Sequence, residues 1–310
     1  MSLITKAAED ARIFCRRSFP FDSARHAFKT YMQAVGLSQE DEVLLPAYIG
    51  WSSKEGSGVF DPIAELGVKY SFYRVSSRLQ IDVEDVESKI KAHHPRILVL
   101  IHYFGFPDPD SCLLCKFAHE HGVLVVEDEA HAMLSDQVGG ICGRTGDAAI
   151  YSLHKLLPLK CGGRLVLNTD DEAAFACIPT ASYYPMHPFY DYDFCQIAKR
   201  RQHNARFLLQ LLADSNLPME PLHMSTPDGV VPQSLPVIVS TRSRDDLYFE
   251  MNSAGFGVVS LYHTLIQQIT PEEFPESHKL SRHIMNLPVH QDINDQALID
   301  LVHCLARALA

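Results

Sequence analysis

Short apolar runs, each about the length of one buried strand, recur between helical stretches from roughly residue 22 to 168, and this alternation limits the fold more than any other feature. Arg96-Ile97-Leu98-Val99-Leu100-Ile101 is the strongest run, with no polar residue after its first position. Glu42-Val43-Leu44-Leu45-Pro46, Lys69 to Val75, Val123 to Glu127, Ala148-Ala149-Ile150-Tyr151-Ser152 and Arg164-Leu165-Val166-Leu167 read as further strands. Between them, Ala24 to Val35, Asp61 to Leu66, Val83 to Ala92 and Ser111 to Glu120 have helical patterning. Continuous apolar strands alternating with helices require a sheet covered on both faces, which means a mainly parallel α/β sheet. Ligands of such sheets bind outside the carboxyl ends of the strands. Asp128 and Ser152 both fall at such ends.

The rest of the chain is read more coarsely. Residues 177 to 193 form an aromatic-rich, proline-interrupted segment that includes Tyr183, Tyr184, Phe189, Tyr190 and Tyr192. A long helix is expected over Cys195 to Ala213. A strand follows at Ser234 to Ser240, then helices at Arg244 to Ala254 and Asp295 to Leu309. A domain change near residue 195 gives a large domain at 1–194 and a small α+β domain at 195–310.

The chain has 310 residues, enough for a substantial core, and 21% of them are charged against 46% hydrophobic. The net charge of −11 and the lack of any basic block longer than Lys199-Arg200-Arg201 argue against a nucleic-acid partner. No run reaches the roughly 18 apolar residues of a membrane-spanning helix, and no leader is evident, so the expected location is the cytoplasm. Eight cysteines in this context read as reduced thiols. Cys112 and Cys115 share an amphipathic helix without a second pair, so no metal site is expected.

The chemistry is concentrated between Leu124 and Gly163. An apolar strand ends in Glu127-Asp128-Glu129-Ala130-His131, and Gly146-Asp147 opens a second strand that leads through Ser152 to His154-Lys155 and then Gly162-Gly163. A strand-end carboxylate and a lysine beyond a second strand suit pyridoxal 5′-phosphate (PLP). The acid keeps the pyridine nitrogen protonated, and the lysine carries the aldehyde as a Schiff base.

Several motifs in one order resemble the DegT/DnrJ/EryC1/StrS family of sugar aminotransferases. Asp22-Ser23-Ala24-Arg25-His26-Ala27 is similar to the family's Ser-Gly-(Thr/Arg)-x-Ala helix start. Asp41-Glu42-Val43-Leu44-Leu45-Pro46 resembles its Asp-Glu-Val-(hydrophobic)-x-Pro strand. His102-Tyr103-Phe104-Gly105 resembles His-Leu-(Tyr/Phe)-Gly, and Glu127-Asp128-Glu129-Ala130-His131 resembles Glu-Asp-x-Ala-(Gln/His). Leu280-Ser281-Arg282 and Leu287-Pro288-Val289-His290 are similar to a run near the family's C-terminus.

The resemblance implies a fold-type I PLP transferase, with a mainly parallel central sheet flanked by helices and a smaller C-terminal domain. It implies a homodimer that moves an amino group from an amino acid, often glutamate, to a keto-sugar, nucleotide-linked, in surface-polysaccharide or secondary-metabolite biosynthesis. It also implies roles for individual residues. Asp128 would bond the ring nitrogen, and His131 would contact the ring or its phenolic oxygen. Ser23, Ala24 and Arg25 at the helix start, with Ser152, would hold the phosphate. An aromatic after the Pro46 strand, Tyr48 or Trp51, would cover the ring. The tyrosine of Tyr262-His263 resembles a segment lining the substrate site.

Counted from Ser152, the family's lysine would fall on Leu157, yet Lys155 lies seven residues before Gly162 as the family's lysine commonly does. A shortening between Ser152 and Lys155 reconciles the two counts and places the Schiff base on Lys155 rather than Lys160. Two departures stand out. The segment from Trp51 to Gly67, with Lys54-Glu55-Gly56-Ser57-Gly58, is longer than the family norm, and the Gly-x-Asn-x-Arg-Met segment expected after residue 180 is missing. The alternatives are a PLP enzyme of another reaction type, such as a dehydratase or a non-sugar transaminase, or a catalytically silent relative.

Overall fold

The structure is a computed structural model that describes residues 16–169 and 191–310. Most of the aromatic-rich segment and the position of the missing Gly-x-Asn-x-Arg-Met run therefore lie outside the described residues.

The central sheet has seven strands. In chain order they are β1 (Arg17–Phe21), β2 (Glu42–Pro46), β3 (Lys69–Tyr73), β4 (Ile97–Ile101), β5 (Leu124–Asp128), β6 (Ala148–Ser152) and β7 (Gly163–Leu167). Their spatial order is β1-β7-β6-β5-β4-β2-β3. The run from β6 to β3 is parallel, and β7 pairs antiparallel with both β6 and β1. The apolar run predicted the centre of this sheet: all five residues of β4 are buried, each full burial contributing about 1.5–3 kcal/mol. Helices α1 (Ala24–Ala34), α2 (Phe60–Leu66), α3 (Val83–His93) and α4 (Ser111–Glu120) are the crossover connections. The first presents Ala27, Phe28, Tyr31 and Met32 to the core.

The antiparallel β7 arranges the site. Its first residue, Gly163, pairs with Ser152, the last residue of β6, and on its other side with Phe21, the last of β1. The chain leaving β1 therefore starts α1 at the same sheet edge where Ser152 and, one strand on, Asp128 end. A Cβ on Gly163 would come within 3.0 Å of the backbone of Ser23 and Ala24, so a glycine is required for this close approach.

After the long helix α5 (Phe194–Ser215), a three-stranded antiparallel sheet forms from β8 (Met219–Pro221), β9 (Ser234–Val239) and β10 (Ile284–Pro288) in the order β10-β9-β8. It packs with α5, α6 (Arg244–Ser253) and α8 (Asp295–Leu309) around a second core that includes Leu208, Val237, Met251, Leu287 and Leu301. Strands β1, β8 and β10 and helix α7 (Pro275–His283) were not expected from the sequence. β1 lacks an apolar run, β8 is three residues long, and the histidines and serines of α7 mask its period. No helix among the described residues is long and apolar enough to cross a membrane.

Candidate active site

A cavity of about 440 Å³ opens at the carboxyl edge of the sheet. Ser23, Ala24, Arg25, Asp128, Ser152 and Lys155 all border it, so residues far apart in the chain meet there as expected.

Lys155 lies in a single helical turn, Leu153–Lys155, that follows β6. Its Nζ is 3.1 Å from His131 Nε2. His131 is buried, and its Nδ1 accepts the Phe104 backbone N–H at 3.2 Å. A neutral imidazole carries one proton, so an accepting Nδ1 puts that proton on Nε2, facing Lys155. In its free-amine form the lysine nitrogen can accept it. Burial lowers the Lys155 pKa, against the attraction of Asp128 and Glu55. Burial, and then the charge of Lys155, keeps His131 well below the usual histidine range. Phe104 has φ 58 and Gly105 φ 93, and this left-handed turn after β4 points the Phe104 N–H at His131.

Asp128 ends β5. Its Oδ1 accepts the Ala130 N–H at 2.8 Å, leaving Oδ2 for a ligand. Burial raises its pKa, while Lys155 and the Ala130 N–H pull the other way. Also on the cavity wall, Ser23 caps α1, its Oγ accepting the His26 N–H at 3.2 Å. The amides of Ala24 and Arg25, at the start of the helix, have no partner within it. Arg25 donates to the Glu55 carbonyl and lies 3.5 Å from Asp61. Its Nε is buried with no hydrogen-bond partner among the described residues. Two open amides, an orphaned guanidinium N–H and the nearby Ser152 hydroxyl make a seat suited to a phosphate. The donor set thus fits PLP: an anion seat, a carboxylate and a primary amine all border one cavity.

The expected covering aromatic meets a different arrangement. Trp51 is 45% exposed and does not border the cavity. Tyr48 is fully buried and also stands off it, stacked on Tyr262 with ring centroids 5.3 Å apart. Lys160 is exposed, although it does border the cavity. The long segment after Trp51 is part of the wall, since Glu55, Gly56, Ser57 and Gly58 line the cavity.

The sequence reading assigned no role to Glu127 and His102. Both are fully buried beneath the site, with His102 Nε2 3.0 Å from Glu127 Oε2 and 3.4 Å from Glu129 Oε1. Glu127 also accepts the Gly143, Thr145 and Gly146 amides at 2.7, 3.0 and 2.7 Å, holding the loop that enters β6. Burial works against the His102 charge, but Glu129 and the bond to Glu127 lift its pKa to about 9. Burial likewise opposes the Glu127 charge, and His102 overrides it, holding the carboxyl near about 2. Glu129, without enough compensation for its burial, rises to about 8. The signal lay in the sequence as a charged residue inside an apolar strand. Cys142 Sγ also approaches this cluster, 3.2 Å from Glu129, but the His102 ring nitrogen is already engaged by the two carboxylates.

Comparison with known proteins places this geometry in context. The family model described as DegT/DnrJ/EryC1/StrS aminotransferase family matches residues 16–183. The chain is similar in structure to an aminotransferase, TlmJ, from Streptoalloteichus hindustanus (TM-score 0.77, 21% identity, covering 94% of this chain and 85% of that one). It also resembles DesI crystallised in the presence of its TDP-sugar product (TM-score 0.75, 19% identity, 95% and 81% covered). A third similar structure is a GDP-4-keto-6-deoxymannose-3-dehydratase with a trapped PLP-glutamate geminal diamine (TM-score 0.73, 14% identity, 93% and 88% covered).

Proposed function

Because the chain belongs to the DegT/DnrJ/EryC1/StrS aminotransferase family, we propose that this PLP-dependent aminotransferase moves an amino group from glutamate to a nucleotide-linked keto-sugar. The observation that carries the site assignment is the 3.1 Å contact of Lys155 with His131, at a cavity that Asp128 and the start of α1 also border. Lys155, Asp128 and His131 are the proposed catalytic residues. Ser23, Ala24, Arg25 and Ser152 are the proposed phosphate ligands.

When bound, PLP supplies a carbonyl carbon for attachment and a ring that withdraws electrons. The chain does the rest. Lys155 Nζ, whose pKa burial lowers, would hold the group at that carbonyl carbon and would serve as the base that takes up and returns a proton. His131 Nε2–H stands beside it, oriented by the Phe104 amide. Asp128 Oδ2 would keep the ring nitrogen protonated through a charge-assisted bond. The α1 amides and Arg25 would hold the phosphate end and so orient the group toward Lys155.

The acceptor and donor are inferred from similar proteins. DesI was crystallised with a TDP-sugar product, and the dehydratase holds a glutamate adduct of the cofactor. The wall formed by Glu55 to Gly58 would then shape the acceptor pocket. The dehydratase also keeps another reaction type as the second reading. In this family dehydratases replace the lysine with histidine, and the retained Lys155 favours transfer. We further read residues 1–194 and 195–310 as two domains, and the working enzyme as a cytoplasmic homodimer.

The test is a half-reaction. PLP-loaded protein given glutamate without acceptor should release one 2-oxoglutarate per site and leave pyridoxamine phosphate. The loaded protein should then aminate a nucleoside-diphosphate keto-sugar. Amination of a non-sugar ketone alone would replace the acceptor, and net loss of a sugar hydroxyl would indicate a dehydratase. Failure to release an oxo acid from any amino acid would overturn the aminotransfer reading.

A further inference from the structure

We infer that Tyr262, which comes from the C-terminal part of the chain, is the aromatic side chain that covers the PLP ring. This rests on the cofactor placement proposed above. The resemblance led us to expect such a residue just after β2, but Tyr48 and Trp51 do not border the cavity. Gly50 and Ile49 border it instead.

Gly50 has no side chain to offer, and its conformation does not require a glycine, because its φ is outside the left-handed range. What it accommodates is Tyr262. A Cβ on Gly50 would lie 2.9 Å from Tyr262 Cδ1, so the tyrosine ring occupies the space that a side chain at position 50 would enter. Tyr262 borders the same cavity as Asp128, Ser152 and Lys155. Behind it the ring is stacked on Tyr48, and it meets His131 edge to face, with centroids 5.8 Å apart at 81°. It is therefore a fixed surface.

The backbone is built to hold it there. Tyr262 has φ 58, a conformation that a bulky L-residue keeps only when its surroundings impose it. They do so from both sides. The Leu261 N–H donates to Asn286 Oδ1 at 3.2 Å, beside β9 and β10. Beyond the tyrosine, the Trp51 N–H donates to the Thr264 carbonyl and the Ile266 N–H to the Ile49 carbonyl, each at 3.0 Å. This antiparallel bridge between residues 49–51 and 264–266 lays the tyrosine across Gly50. The cofactor would thus be enclosed between the sheet edge and a segment from the small sheet's side, and its binding would join the two.

The experiment compares PLP dissociation constants and the visible circular dichroism of bound PLP in wild type and four variants, with the melting temperature of each PLP-free form as the check on folding. Tyr262→Phe keeps the ring and should bind within about twofold of wild type. Tyr262→Ala should bind about tenfold or more weakly, with an altered dichroic band. Gly50→Phe added to Tyr262→Ala should recover most of the affinity by supplying a ring from the other side. Tyr262→Leu keeps apolar bulk without a π face and should lose affinity even where the alanine variant is poorly folded.

Wild-type affinity and dichroism in folded Tyr262→Ala, or no recovery on adding Gly50→Phe, would overturn the inference while leaving the cofactor site intact. No uptake of PLP by wild type would overturn the inference and the site reading together.

Discussion

Gly163→Ala is the smallest change that should damage the anion seat without replacing any proposed ligand. The new methyl would fall within 3.0 Å of three backbone atoms, the carbonyl carbon and oxygen of Ser23 and the nitrogen of Ala24. Comfortable carbon contacts lie near about 3.5 Å, so the start of α1 must retreat by roughly 1 Å or β7 must bow. Neither is easy. β7 is paired on both sides, to Phe21 and Ser152, and α1 is anchored by the Ser23 cap and by Arg25 on Glu55. Overpacking of this kind costs about 1–3 kcal/mol, a sizeable part of the roughly 5–15 kcal/mol that holds a domain folded. The larger effect should be on PLP. Asp128 and Lys155 stay in place on β5 and β6 while the α1 amides move away from the phosphate. Losing one charge-assisted hydrogen bond, about 1.5–3 kcal/mol, weakens binding by about 10- to 100-fold. Denaturant unfolding of the PLP-free protein and a PLP titration measure the two effects. Gly58→Ala is the stability control, because nothing lies within 4 Å of its Cβ position and its φ is outside the left-handed range. Wild-type midpoint and wild-type PLP affinity in Gly163→Ala would refute the close-packed seat.

Four further outcomes follow from the charges. Glu127→Gln should destabilise the fold by about 3–5 kcal/mol, because it leaves the buried His102 cation short of a partner and weakens the 143–146 loop; urea unfolding reads this. With its pKa lifted to about 9, His102 contributes stability that is fully present below its unfolded value of about 6.5 and is lost as pH rises through 9. The difference in stability between wild type and His102→Gln should shrink across that window. Lys155 works in the opposite sense in the PLP-free protein, since its lowered pKa means that the fold penalises the ammonium. Lys155→Met should therefore raise the melting temperature at neutral pH, by less as the pH approaches the ordinary lysine value of 10.5. Asp128→Asn keeps the shape but not the charge. It should still take up PLP on Lys155 while slowing single-turnover oxo-acid release by at least about 100-fold, and an unchanged rate would remove Asp128 from its role.

The parallel sheet was legible because β4 is apolar throughout and β5 is apolar until Glu127-Asp128, and because the crossover helices keep their period. Asp128 and Ser152 were legible for the same reason, since each ends a strand of that sheet, whereas Ser23 and Lys155 were expected from the family resemblance. What stayed hidden depends on contacts between distant segments. Nothing in the local pattern of Arg17–Phe21 shows that it pairs with β7, yet this pairing delivers α1 to Ser152. Tyr48 and Trp51 both followed β2 as a covering aromatic should, but Tyr48 turns into the core and Trp51 toward solvent. The decisive position between them is Gly50, whose meaning depends on a tyrosine more than two hundred residues away. The His102–Glu127 pair was visible only as two residues in separate motifs, because its reason is the burial of one charge against the other.

The central claim is that Lys155 is the residue that binds PLP covalently. Borohydride reduction of the PLP-loaded protein, followed by proteolysis and mass mapping, tests it directly, with Lys155→Ala treated in parallel. The account predicts a reduced phosphopyridoxyl group on the peptide carrying Lys155 in wild type and none in the variant. The same group on Lys160 in wild type, or no covalent label at all, would contradict it.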